Sequence, residues 1–107
     1  MIYELRVYEV APGKLGALND RFATITLRFF DKYGMQVLGF WTDEAEGTTR
    51  LTYIVVFRDR AHMDKAWADF VSDQERVALF AQTERDGPLV SRIVSTVMEP
   101  TSYSPLQ

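Results

Sequence analysis

Arg6 and Tyr8 stand two positions apart in the alternating run Ile2 to Val10, so an extended chain puts them on one face. Arginine supplies a fixed cationic fork and tyrosine a phenolic donor, and together they have the chemistry to grip an oxyanion. The plainer role for Arg6 is an ion pair with Glu4 on a neighbouring strand or across a dimer. Arg92, in the last apolar run, poses the same two alternatives. His62 is the only histidine. An imidazole suits a general base, but a place near the start of a helix equally suits a solvated first-turn residue. Trp41, Tyr53 and Tyr8 offer flat rings on which an aromatic ligand could stack, or else the core of an interface.

Other chemistries find no support. The chain has no cysteine, which excludes disulfides, thiolate nucleophiles, Cys-ligated zinc and iron–sulfur clusters. A lone histidine excludes a metal site built from several histidines. Asp43, Glu44 and Glu46 in DEAEGTT lack the alternating ligand pattern of a calcium loop and read as a solvated turn. Ser72 followed by Glu75 has the spacing of a capping box rather than of a nucleophile. Neither a GxSxG elbow nor a glycine-rich phosphate loop occurs. No cofactor is expected.

The elements that must position these residues follow from periodicity. Ile2 to Val10 alternates as a strand, with Tyr3, Leu5 and Val7 on one face and Glu4, Arg6 and Tyr8 on the other. Pro12 and Gly13 end it. Leu15, Leu18, Phe22, Ile25 and Phe29 recur in steps of three and four, which predicts one helix over Lys14 to Tyr33. Gly34 falls where that helix closes in the left-handed conformation. Met35 to Trp41 and Leu51 to Phe57 read as a hairpin with a long loop, Asp43 to Thr49. Asp59 is placed to cap a second helix with Met63, Ala66, Trp67 and Phe70 inward. The Ser72 box then starts a third, burying Val77, Phe80 and Ala81. Gly87 and Pro88 precede a last strand, Leu89 to Met98.

The order β, α, β, β, α, β, with its second helix broken in two, is the split βαβ arrangement. It predicts an α+β, ferredoxin-like domain over 2–99, with a four-stranded antiparallel sheet and helices on one face. Residues 100–107 form a polar tail placed to cross to a partner. If the helices cover Leu5 and Val7, the uncovered face shows Arg6, Tyr8, Trp41 and Tyr53. A second copy stacked there would bury them.

Composition sets the limits. A chain of 107 residues with 47% apolar and 25% charged residues is long enough for one cored domain. The net charge of −3 offers no basic stripe for nucleic acid. No apolar run approaches the roughly 18 residues of a membrane span. The opening MIYELRVYEV lacks the pattern of a secretion signal, so a cytoplasmic location is expected.

The segments IYELRVYEVAPGKLGAL, VLGFWTDEAEG and LTYIVVFRDRAHMDKAWADFVSDQE resemble the NIPSNAP family, within the dimeric α/β-barrel superfamily. Glu75 is followed by Arg76, where relatives often carry an aromatic. The resemblance implies a homodimer of ferredoxin-like subunits whose sheets stack into a barrel enclosing a pocket. The amphipathic open sheet face adds the expectation of a small, mostly apolar organic ligand in that pocket, lined by Arg6, Tyr8, Trp41, Tyr53 and Arg92. The wider superfamily includes cofactor-free monooxygenases and isomerases. On that pattern His62 or Tyr8 would move a proton and Arg6 would stabilise an enolate-like oxyanion. The remaining alternative is a non-catalytic interaction module.

Overall fold

A computed structural model describes residues 1–107. Its elements are β1 (Ile2–Val10), α1 (Leu15–Arg21), a π-helical segment (Phe22–Thr26), α2 (Leu27–Lys32), β2 (Gln36–Ala45), β3 (Thr48–Phe57), α3 (Arg60–Ser72), α4 (Gln74–Thr83) and β4 (Val90–Met98). The four strands form one antiparallel sheet in the order β2-β3-β1-β4. This is the expected split βαβ topology. Residues 1–107 measure 18 Å along their shortest axis, the depth of one sheet and one helical layer.

The helices cover the opposite sheet face from the one expected. Tyr8, Leu51, Tyr53 and Val55 belong to the buried cluster with Leu18, Phe30 and Met63 from the helices. Glu4, Arg6 and Tyr8 therefore point under the helices, and Leu5 and Val7 point away. Both faces of β1 are apolar enough to be covered, so alternation alone carries no preference between them. A register shift between Val37 and Gly39 in β2 then pairs Phe40 with Tyr53 and Trp41 with Thr52. Phe40 consequently packs inward, with ring centroids 5.1 Å from Tyr53 and 5.2 Å from Phe22. Trp41 lies on the uncovered face, 55% exposed, with its indole folded over Gly39. A Cβ on Gly39 would stand 2.9 Å from that ring, so glycine makes the close approach possible.

The first helix is continuous but not regular. The π-helical segment has more residues per turn than an α-helix, so the buried face advances in steps of four. Leu18, Phe22, Thr26 and Phe30 are all buried, together with Arg21 and Phe29, whereas Ile25 is only half-buried. Gly34 closes the helix at φ 68°, and Met35 N–H donates to Phe30 O at 2.8 Å in a Schellman arrangement, as expected. Asp59 caps α3, accepting from His62 N–H at 2.8 Å.

The cap of α4 is Asp73, not Ser72: Asp73 Oδ1 accepts from Arg76 N–H at 3.0 Å, while Ser72 is the last residue of α3. Val77 and Ala81 are exposed and Phe80 is half-buried, because α4 rests on α1, the π segment and α3 rather than on the sheet. β2 and β3 are longer than expected and meet in a two-residue turn, Glu46 and Gly47, with φ 52° and 79°. Both central residues at positive φ define a type I′ hairpin in place of a long loop. The C-terminal tail folds back along its own sheet, where Tyr3 OH donates to Gln107 O at 2.9 Å.

Candidate functional site

A polar network sits where β1, β3 and β4 pass under α3. Neighbouring strands place Glu4, Arg6, Tyr8, Tyr53 and Ser95 on one face, with Arg6 opposite Tyr53 and Ser95 in the register. Glu4 is buried and accepts from Arg6 Nη1 at 3.0 Å, from Ser95 Oγ and from Trp67 Nε1. Arg6 Nε donates to Tyr53 OH at 2.8 Å, and the Tyr8 and Tyr53 hydroxyls are 2.8 Å apart. The Arg6 guanidinium stacks on Trp67, 4.3 Å from the ring centroid.

Burial works against the Arg6 charge, but the Tyr53 and Tyr8 oxygens and the Glu4 carboxylate more than offset it, and Arg6 is held above its ordinary pKa. Burial likewise pushes the Tyr53 phenol well above its usual value, with Tyr8 adding to the effect and Arg6 opposing it. The Tyr53 phenol is thus a neutral hydrogen-bonding group held beside a fixed cation.

Above this floor is a cavity of about 690 Å³ between sheet and helices. That volume falls within the usual range of small-molecule sites. Tyr8, Phe22, Phe30, Trp67, Phe70 and Phe80 supply its aromatic walls, and β4 from Val90 to Ile93 forms a lip. Arg21 from α1 and Arg76 from α4 each set a guanidinium near the Phe80 ring, at 4.3 and 4.7 Å. Burial lowers the Arg76 pKa, and nearby Arg21 lowers it further, while Asp73 and Glu84 oppose the shift. The buried Nε of Arg21 and Oγ1 of Thr26 have no hydrogen-bond partner, and both residues line the cavity.

Of the residues singled out from the sequence, Arg6 and Tyr8 line this cavity, and Tyr53 lies fully buried behind them. Trp41 is on the other sheet face. Arg92 touches the lip, but its guanidinium turns to Glu9 on the uncovered face, 3.4 Å away. His62 is remote from the cavity. Its Nδ1 accepts from Arg58 N–H at 3.0 Å, its ring packs on Phe57, and its neighbours are Lys32, Tyr33 and Lys65. His62 therefore does not share the cavity with Arg6 and Tyr8, and its ring contacts hold the start of α3. Arg6 and Tyr8 face the helices rather than the bare sheet face, so the cavity that they line lies between the sheet and helices of one chain. Sequence reasoning missed Arg21, Thr26 and Arg76, whose inward positions depend on the π segment and on where α4 docks. No three histidine or carboxylate side chains converge as a metal-ligand cluster.

Fold and site together define a ferredoxin-like α+β protein with an open-sided, aromatic-walled and arginine-bearing cavity between sheet and helices. The NIPSNAP family model matches residues 3–105, and the chain belongs to that family. A NIPSNAP family protein of unknown function from Agrobacterium tumefaciens superposes with TM-score 0.83 at 21% identity, covering 100% of this chain and 94% of that one. An uncharacterized NIPSNAP domain protein from Burkholderia xenovorans gives TM-score 0.83 at 18% identity, covering 98% and 99%. A Nitrosomonas europaea protein provisionally assigned as an antibiotic biosynthesis monooxygenase gives TM-score 0.63 at 10% identity, covering 94% and 98%. At these identities the likeness establishes the fold alone. None of the curated proteins matches the chain.

Proposed function

We propose that this NIPSNAP protein binds a small, mostly apolar organic molecule in the cavity between its sheet and helices, and does so as a homodimer. The observation that carries the reading is the cavity itself: about 690 Å³ is left unfilled by the chain's own side chains and is walled by aromatic rings. Aromatic rings lining such a solvent-filled cleft leave apolar surface in water, which a ligand would bury. The homodimer is supported by the uncovered sheet face. Leu38, Trp41 and Val94 are 42%, 55% and 39% exposed there, with no helical layer over them. A second copy pairing through that face would bury them without closing the cavity.

Native mass spectrometry of the purified protein tests both parts. The expected spectrum is a dimer carrying an added small mass. Ile93→Trp, which sets an indole on the cavity lip, is expected to lose that mass and remain a dimer. A clean monomer removes the dimer from the reading, and an added mass unchanged in Ile93→Trp removes the cavity.

A second reading, a cofactor-free monooxygenase or isomerase acting on an enolisable aromatic substrate, is favoured by one feature. Tyr8 OH lies at the cavity floor, hydrogen-bonded to Tyr53, with Arg6 behind it. That arrangement suits proton donation to a developing oxyanion, with Arg6 stabilising its charge. Tyr8→Phe should then depress kcat on the identified ligand with little change in KM. Full turnover by that variant would exclude the phenol as the proton donor.

A further inference from the structure

We propose that the cavity's ligand is an organic carboxylate, its carboxyl group held by the side edge of the Arg21 guanidinium and the Thr26 hydroxyl. This rests on the cavity being the binding site and adds the chemical class of its occupant. Among the arginines that line the cavity, Arg6 is spent on Tyr53, Glu4 and Tyr8. Arg76 donates Nε to Phe70 O and Nη2 to Val71 O, and Arg92 turns outward to Glu9. Arg21 differs. It uses only Nη1, through long bonds of 3.3 Å to Thr83 and 3.4 Å to Glu84. Its Nε is buried without a partner, so the edge with two parallel N–H donors, the one that fits a carboxylate bidentately, is unfilled.

Thr26 adds an independent sign. Its hydroxyl is also buried and unpartnered, in a residue only 4% exposed that lines the same cavity. Buried polar groups are nearly always paired, and orphaning one is destabilising. Arg21, the last residue of α1, and Thr26, five residues on in the π segment, thus each present an orphaned group beside the same cavity, and one carboxylate reaching both would satisfy them. The charge balance agrees. Arg21, 7% exposed, and Arg76 flank one ring, Phe80, while Glu84, the single carboxylate lining the cavity, is largely in solvent and bonds Arg21 weakly. An anion here relieves the repulsion between the two guanidinium groups. The aromatic walls then take the apolar body of the same molecule.

Calorimetric titration with two matched probes, naphthoate and naphthylmethanol, tests the assignment on the intact chain. The expected result is binding of naphthoate about tenfold tighter than the alcohol, the margin of one charge-assisted pair. Arg21→Gln should erase that preference, and Arg21→Lys should keep part of it. Thr26→Val preserves shape and removes the orphaned hydroxyl. It should weaken naphthoate about threefold and leave the alcohol unchanged, with a thermal midpoint equal to or above that of the parent. Equal affinity for the two probes, or a preference that survives both Arg21→Gln and Thr26→Val, overturns the carboxylate assignment and leaves the cavity standing. Binding of neither probe overturns the cavity reading along with it.

Discussion

Glu4 is buried in the core beside Arg6 and takes three donors, from Arg6, Ser95 and Trp67. Removing its charge leaves the mostly buried Arg6 guanidinium without its only carboxylate. Glu4→Gln should therefore cost about 3 kcal/mol in urea unfolding. Tyr53→Phe deletes one hydroxyl from the same network and should cost about 1 kcal/mol. If the two losses were equal, the ion pair would not be the anchor of the network. Asp73 acts at a different place. Hydrogen bonds from Lys32, Tyr33 and the Arg76 N–H hold its carboxyl well below the usual carboxylate range. Because the folded value is depressed, this contribution is complete above about pH 4 and is lost as the pH falls towards the native value. Asp73→Asn should lose stability at neutral pH, with the gap to the parent narrowing through the acid range. A gap that stays constant with pH would show that charge has no part in it. That Arg6 and Glu4 share a strand face was legible from alternation, but they pair along one strand rather than across strands or a dimer. The Lys32 and Tyr33 partners of Asp73 were not legible, since they come from a helix distant in sequence.

At the scale of elements, the tight turn of the β2–β3 hairpin is the sharpest departure from the sequence pattern. Glu46 sits at φ 52°, a left-handed conformation that costs a non-glycine residue roughly 1–2 kcal/mol. Asparagine tolerates it better, so Glu46→Asn should raise stability by about 0.5 kcal/mol in thermal or urea unfolding. No gain would mean that neighbouring contacts already offset the strain. Glu-Gly is a weak hairpin signal compared with Asn-Gly, and the polar run around it reads equally well as loop. The helix start at Asp59 and the glycine stop at Gly34 were legible because each is a local pattern with a local partner. The π segment was not. Steps of three and four selected Ile25, but a wider turn brings Thr26 and Phe30 inward, and that turn is set by packing against Tyr8, Phe40 and Tyr53.

For the whole molecule, the two tryptophans divide the work between the two sheet faces. Trp67 borders the cavity under the helices, and Trp41 stands on the bare face. Val94→Lys places a charge in the middle of that bare face. In sedimentation equilibrium it should shift the proposed dimer to monomer, with naphthoate binding retained because the cavity belongs to one subunit. A dimer that persists would move the interface off the sheet. No helix is long and apolar enough to cross a membrane.

The sequence by itself determined the element order, the antiparallel sheet and which residues share a face, because alternation and helical periodicity are local. It also brought Arg6, Tyr8 and Tyr53 together, since strand parity survives whichever face is covered. Only the tertiary structure decided which face the helices cover. Tyr3, Leu5 and Val7 are as fit for burial as Tyr8 and Tyr53, and a right-handed crossover fixes the hand of the connection without fixing the parity of the strand beneath it. The bulge before Gly39 then reversed Trp41 against Phe40, and the π segment turned Arg21 and Thr26 inward. Each of these is a shift of one residue in phase, made by packing between segments far apart in the chain.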